Sequence, residues 1–250
     1  MNRIKADKGA QLRLLDLQAL DSELAQLEHR RRTLPEHGEI AALRAARTAV
    51  AANIVAADTA VSDLEGDQAR AEADLEPVRE RLRRNQRRIA DGTVPDPKAL
   101  SSMVDEVEHL KRRISDLEDA ELEIMEQLEA ATSASARLGD EAAELDSKLT
   151  DAAARRDRAL ASIDADVAER RAARAQLEPL IPADLLALYV KIGASHGGVG
   201  AAELRQRRCT GCQLEVNIAE LQAFAAAAED DVLRCEECSR ILVRTAFSGL

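Results

Sequence analysis

Apolar or small side chains recur at alternating steps of three and four over about a hundred residues of this 250-residue chain. One row runs from Ile40 through Val50, Val61 and Leu75 to Ile89, and only Arg47, Gln68 and Asn85 among its fifteen positions are polar. A second row runs from Leu100 through Val107, Ile114, Leu128 and Leu145 to Ala152, interrupted only by Glu121 and Ser135. A mean period of 3.5 keeps one stripe facing a partner helix, so both rows read as coiled coil. Between them lies Asp91-Gly92-Thr93-Val94-Pro95-Asp96-Pro97, where glycine ends a helix and two prolines cannot continue one. Two long helices joined by a short loop lie antiparallel. A turn centred on Val94 predicts that residue i faces residue 188 − i, roughly. The second helix, about 98 to 177, reaches roughly 120 Å at 1.5 Å per residue. Leu17, Leu20, Leu24 and Leu27 then pack near its end, and Leu34 to Gly38 breaks the first arm. Gly66, Pro77 and Gly139 lie inside the helical pattern, and Pro77 is read as a local bend: a hinge or a tolerated kink.

Composition excludes most alternatives. Tyr189, Phe224 and Phe247 are the three aromatic residues, there is no tryptophan, and glycine and proline together number only 17. A thick α/β core draws much of its buried area from aromatics, and a β-sandwich needs many turns. The net charge of −11 argues against a protein that coats DNA generally, while allowing a local basic patch. Met1 to Gly9 has no apolar run behind it and does not read as a signal peptide. No continuous apolar stretch of the roughly 18 residues of a membrane span is seen. The expectation is a soluble, cytoplasmic protein without membrane contact. Its thiols stay reduced there, which favours metal binding over disulfides.

All four cysteines fall in the last 42 residues. Glu178-Pro179-Leu180-Ile181-Pro182 closes the coil, 183–192 reads as a short amphipathic helix, and 193–200 is a glycine-rich connection, flexible or tightly turned. That connection lacks the Lys and Ser/Thr of a phosphate loop. Cys209-Thr210-Gly211-Cys212 and Cys235-Glu236-Glu237-Cys238 follow, 22 residues apart. Each CxxC offers two thiolates to one ion, and two such knuckles complete a tetrahedral four-sulfur site suited to one Zn²⁺. Four protein ligands leave no position for water, so the metal is read as structural. An iron–sulfur centre also uses four cysteines, whereas a redox CxxC wants a thioredoxin-like setting that is not seen. Val232-Leu233 and Ile241-Leu242-Val243 are β-prone and pair as a hairpin, with a short helix over 219–228 between the motifs. The fold class is therefore mostly α: a long antiparallel coiled-coil helical hairpin (1–178), a helix and linker (179–200) and a small C-terminal β zinc ribbon (201–250).

The chain resembles the bacterial C4-type zinc-ribbon proteins with a long N-terminal coiled-coil hairpin. The resemblance rests on Pro95 to Leu100, Lys111 to Asp119, Glu121 to Glu126, Arg208 to Cys212 and Arg234 to Leu242. It implies zinc at Cys209, Cys212, Cys235 and Cys238 and a binding role linked to nucleic acid or transcription. The chain departs from the pattern at Ser239, where relatives often carry glycine, and at Val243, where they carry an aromatic. Ser239 is expected to donate its backbone N–H to a thiolate, and the loss at 243 weakens stacking on bases.

Two basic clusters are candidate contacts for DNA, RNA or a transcription-associated protein. The first is Arg79, Arg81, Arg83, Arg84, Arg87 and Arg88, facing Lys111, Arg112 and Arg113 near the hairpin turn. The opposing expectation is that these arginines pair with Asp105, Glu106, Glu108 and Asp116. The second is Arg205, Arg207, Arg208, Arg240 and Arg244 in the ribbon, which form a phosphate-contacting edge if they share a face; Glu229, Asp230, Asp231, Glu236 and Glu237 stand against it. The histidines are dispersed, Ser195-His196 is too local for a triad, and no activated nucleophile emerges, so no catalysis is expected. The leading expectation is a zinc-dependent binding protein. The alternative is a protein–protein adaptor that uses the coil as its surface.

Overall fold

The structure, a computed structural model, describes residues 4–250. It contains helices α1 (Lys8–Arg32), α2 (Pro35–Ala90), α3 (Pro97–Leu177), α4 (Ala183–Ser195) and α5 (Ile218–Ala226), a one-turn 3₁₀ helix (Glu178–Leu180), and strands β1 (Ala201–Arg205), β2 (Arg208–Cys209), β3 (Leu233–Arg234) and β4 (Ile241–Arg244). These elements form two compact units, one of residues 38–153 and one that combines residues up to 37 with 154–250.

The first unit is the α2–α3 hairpin. All fifteen positions of the first heptad row are buried or half-buried, and Ile40, Val50, Leu75 and Asn85 are the most enclosed. The second row is likewise inward except for Leu100, which is 37% exposed. The cause is an asymmetric turn. Ser135 donates to Asp58 at 2.7 Å and Arg47 pairs with Asp146 at 3.0 Å, so residue i lies opposite about 193 − i, five positions from the symmetric expectation of 188 − i. Because α2 ends at Ala90, Pro97 to Ser102 have no helix opposite them and every one of these residues is exposed. The local chemistry of the turn sets this. Gly92 takes φ +64° and closes α2, with its N–H on the Ile89 carbonyl. Asp96 then caps α3, accepting from Ala99 N–H at 3.1 Å. Pro77 stays within an unbroken α2.

An 18-residue window in the helical stretch 8–90 reaches a mean hydropathy of 1.3, enough to match a membrane span by length and composition. Alanine rather than a continuous run of large apolar residues produces it, between Ile40 and Ala57, and Arg44 and Arg47 lie within that segment.

The second unit joins α1, the end of α3, α4 and the ribbon. Leu24, Leu27 and Leu34 pack against Ala159, Leu160, Ile163 and Val167 of α3. Ala10, Leu14 and Leu17 instead share a core with Leu185, Tyr189 and Ile192 of α4 and with Ala201, Ile241 and Val243 of the sheet. The strand order is β2-β1-β4-β3, with β1 parallel to β4 and the outer pairs antiparallel. The expected hairpin forms shifted by one residue: Leu233 lies opposite Leu242 and Arg234 opposite Ile241, while Val232 stays outside the strand and donates its N–H to Ile4 O. Ala6 N–H donates to Asp230 O at 2.9 Å, so the segment before α1 adds to the ribbon. Two buried glutamines of α1 complete the join. Gln11 donates to the carbonyls of Ala6 and Glu229, and Gln18 accepts from Gly200 N–H at 2.7 Å and Ala201 N–H at 3.3 Å. The glycine-rich connection is thus a fixed turn. A Cβ at Gly200 would lie 2.4 Å from the Tyr189 carbonyl oxygen, so only glycine lets the chain pass there. Asp21 accepts from the Tyr189 hydroxyl at 2.6 Å and from Arg174 at 2.7 Å, tying α1, α3 and α4 together.

Candidate metal centre

The two CxxC motifs fold as near copies of one another. In the first, Gln213 N–H returns to the Cys209 carbonyl at 2.8 Å and Cys209 N–H donates to Leu214 O at 3.0 Å. In the second, Ser239 N–H returns to the Cys235 carbonyl at 2.8 Å and Cys235 N–H donates to Arg240 O at 3.0 Å. Gln213 and Ser239, each directly after the second cysteine of its pair, adopt the left-handed region at φ +64° and +60°. That backbone conformation costs a serine more than a glycine. The expectation that Ser239 donates to a thiolate is corrected. Its N–H donates to the Cys235 carbonyl at 2.8 Å, and the next residue, Arg240, is the group that favours the Cys238 thiolate.

The four Sγ atoms lie within 4.8 Å of one another. Cys209 and Cys238 are 3.8 Å apart at sulfur, and Cys212 and Cys235 are 3.9 Å apart. Four thiolates at about 2.3 Å from one zinc ion stand roughly 3.8 Å apart by tetrahedral geometry, so the cage fits one ion. The separations are far too long for a disulfide and too short for thiolates spread around an iron–sulfur cluster. Cys209 and Cys235 are buried, Cys212 and Cys238 half-buried, and Ala202, Leu204, Val216, Phe224 and Leu242 pack around them. Burial pushes the Cys209 thiol up and lifts that of Cys235 to about 12. Burial also acts against ionisation of Cys238, but the Arg240 N–H and guanidinium and the neighbouring thiols outweigh it and bring Cys238 down to about 7. Gly211 matters for a separate reason. A Cβ there would sit 2.7 Å from Arg240 Cδ and 3.0 Å from Ala202 Cβ.

The basic candidates divide by what their side chains touch. Arg240 donates to Val199 O at 3.0 Å and to His196 O, and Arg244 donates to the carbonyls of Phe224 and Ala227, so both turn inward and bind the ribbon together. Arg205 lies over the exposed Phe247 ring at 5.8 Å, Arg207 bonds Gly249 O at 3.1 Å, and Arg208 is 4.0 Å from Glu215. In the hairpin, Arg79 pairs with Glu118 at 2.6 Å and Arg81 with Glu106, both across to α3, whereas Arg83 pairs with Glu76 on its own helix. Lys111 pairs with Glu108 at 2.7 Å, and Arg112 reaches the Glu108 carbonyl at 3.4 Å. Arg84, Arg87, Arg88 and Arg113 are exposed and make no ion pair among the described residues. Phe247 and the glutamines of α1 were not singled out in the sequence. An aromatic two residues before a glycine near the carboxyl end carries no periodic signal, and a glutamine reads as surface.

A coiled-coil hairpin together with a ribbon that cages one structural Zn²⁺ in four thiolates defines a zinc-binding, coiled-coil class of protein. Residues 17–197 match the CT398-like coiled coil hairpin domain and residues 208–242 the C4-type zinc ribbon domain, and the chain belongs to this family. An uncharacterized protein of Mycobacterium tuberculosis is 34% identical over 241 residues, 96% of this chain and 98% of its own. The structure of a Mycobacterium smegmatis protein is 34% identical, with a TM-score of 0.82 over 97% of this chain and 100% of that one. CT398 from Chlamydia trachomatis, 16% identical, has the same fold at a TM-score of 0.66 over 95% and 98% of the two chains.

Proposed function

We propose that this chain is a non-enzymatic cytoplasmic protein that binds nucleic acid, in association with transcription, chiefly through the turn end of its hairpin. The observation that carries the reading is the set Arg84, Arg87, Arg88 and Arg113, exposed and without ion pairs among the described residues. They lie in a stretch, 81–113, with nine basic and five acidic side chains, inside a chain of net charge −11. Arginine is suited to phosphate because its planar fork donates two parallel hydrogen bonds. Uncompensated charge on a solvated helix also has a cost that an anionic partner removes. Zinc in this reading is a structural strut with its coordination shell filled, which leaves no site for Lewis-acid chemistry at that ion.

The test is fluorescence anisotropy with labelled RNA and DNA pools across a salt series. Binding should weaken steeply with salt, and the triple variant Arg84→Glu, Arg87→Glu, Arg88→Glu should bind at least about tenfold less tightly, with a log–log slope shallower by about 2–3. No binding to any pool at low salt overturns the reading. A protein–protein adaptor is the second reading. It is favoured by Leu122 and Met125, exposed on α3 beside Leu128 and Gln68, because methionine and leucine on an open helix face adapt to protein surfaces. Its signature is a partner retained after nuclease treatment and lost in Leu122→Glu with Met125→Glu.

A further inference from the structure

The two knuckles match in their internal hydrogen bonds but not in what holds them from outside. In the first, the residue after the leading cysteine, Thr210, donates its N–H to the Glu203 carbonyl of β1 at 3.0 Å. Sheet backbone therefore braces that knuckle. The equivalent N–H in the second knuckle belongs to Glu236, and it donates to a side chain, Oε1 of Glu220, at 3.3 Å.

Glu220 occupies an unusual position for a carboxylate. It is only 8% exposed, and its nearest charges are Glu236 and Glu237, which repel it. It stands three residues after Asn217, the N-cap of α5, whose side chain accepts from Glu220 N–H at 2.8 Å. That spacing is a capping box, in which the acid turns back to the N–H of the cap residue. Here it reaches across to the metal-binding loop instead. Its helix packs on the cysteines through Leu221 and Phe224, with Val216 just before it in the same cluster, so the carboxylate is carried on a fixed platform. A buried, like-charge-crowded carboxylate persists only where its hydrogen bond does something for the fold.

We propose that Glu220 is a positioning residue for the zinc ion: it holds the Cys235–Cys238 knuckle at the separation that closes the cage, and this knuckle is the half that lets go first. Groups hydrogen-bonded behind the ligands of a metal commonly alter its affinity by about 10–100-fold. In the first knuckle the corresponding N–H is held by the β1 main chain, and the side-chain bonds there, Thr210 Oγ1 accepting from Glu203 N–H at 2.9 Å and Gln213 Nε2 donating to Thr210 O at 2.6 Å, come from residues of the knuckle itself or directly after it.

The experiment uses the zinc-loaded full chain and competition with a chromophoric zinc chelator. Glu220→Ala should weaken zinc binding about 10–100-fold, while Glu220→Gln, whose amide oxygen still accepts, should stay within about threefold of the parent. Glu220→Met keeps the packing volume without an acceptor and must reproduce the alanine loss, which separates hydrogen bonding from collapse of α5. Thiol alkylation during chelation gives a second readout: compared with the parent, Glu220→Met should speed labelling at Cys235 and Cys238 while leaving the rates at Cys209 and Cys212 unchanged. Unchanged zinc affinity in both Glu220→Ala and Glu220→Met overturns the proposal. Equal losses in the Gln and Met variants, or equal acceleration of labelling at all four cysteines, overturn it as well.

Discussion

Arg240 ties the glycine-rich turn to both knuckles of the ribbon. Its guanidinium holds the glycine-rich turn through two carbonyls, its stem lies against Gly211 of the opposite knuckle, and it favours the Cys238 thiolate. Gly211→Ala forces a Cβ into that stem, an overpacking that should cost about 1–3 kcal/mol and lower the thermal midpoint of the zinc-loaded protein. Arg240 also makes the thiols unequal. After zinc removal, Cys238 should be alkylated first, with a midpoint near pH 7, and Cys235, held up at about 12 by burial, should react last. The same values set the sign of the pH effect on zinc. At neutral pH the ion must displace protons from Cys209 and Cys235, so affinity rises with pH. Below about 7, Cys238 also binds a proton and the dependence should steepen, a trend that zinc titrations at pH 6, 7 and 8 would register.

The hairpin illustrates what a repeat can and cannot reveal. Its seam is legible because the 3.5-residue period depends only on which side chains face inward, and every one of those positions except Leu100 is at least half-buried. The offset of the two helices is not written in either row. It depends on how far the 91–96 loop climbs before Asp96 starts a new helix, and Leu100 is exposed for that reason. The ribbon cage was readable for a similar cause: two CxxC pairs specify chemistry without needing the path between them. The braces around it were not, since Gln18, Glu220 and Arg240 all bond to groups distant in the chain. Asn85 is the polar seam residue whose amide nitrogen is buried without a partner. Polar seam residues fix register at a cost. Asn85→Leu should therefore raise hairpin stability by about 1–2 kcal/mol in urea unfolding followed by circular dichroism.

The two compact units have different sources of stability. Residues 38–153 rely on a continuous apolar seam, while the unit containing the ribbon relies on a metal cage, a short sheet and the α1 helix. Cys235→Ser should release zinc and unfold the ribbon while most far-ultraviolet helical signal survives; stoichiometric zinc in the purified variant would contradict this. The pairing of the segment before α1 with the ribbon has a further consequence for how the protein is made. Lys5 and Asp230 stand 225 positions apart, so at about 5–20 residues per second a ribosome needs roughly 10–45 s to deliver one after the other. During that interval the hairpin can zip up on its own, whereas α1 waits with Leu14 and Leu17 uncovered, a window in which a nascent-chain chaperone has something to hold.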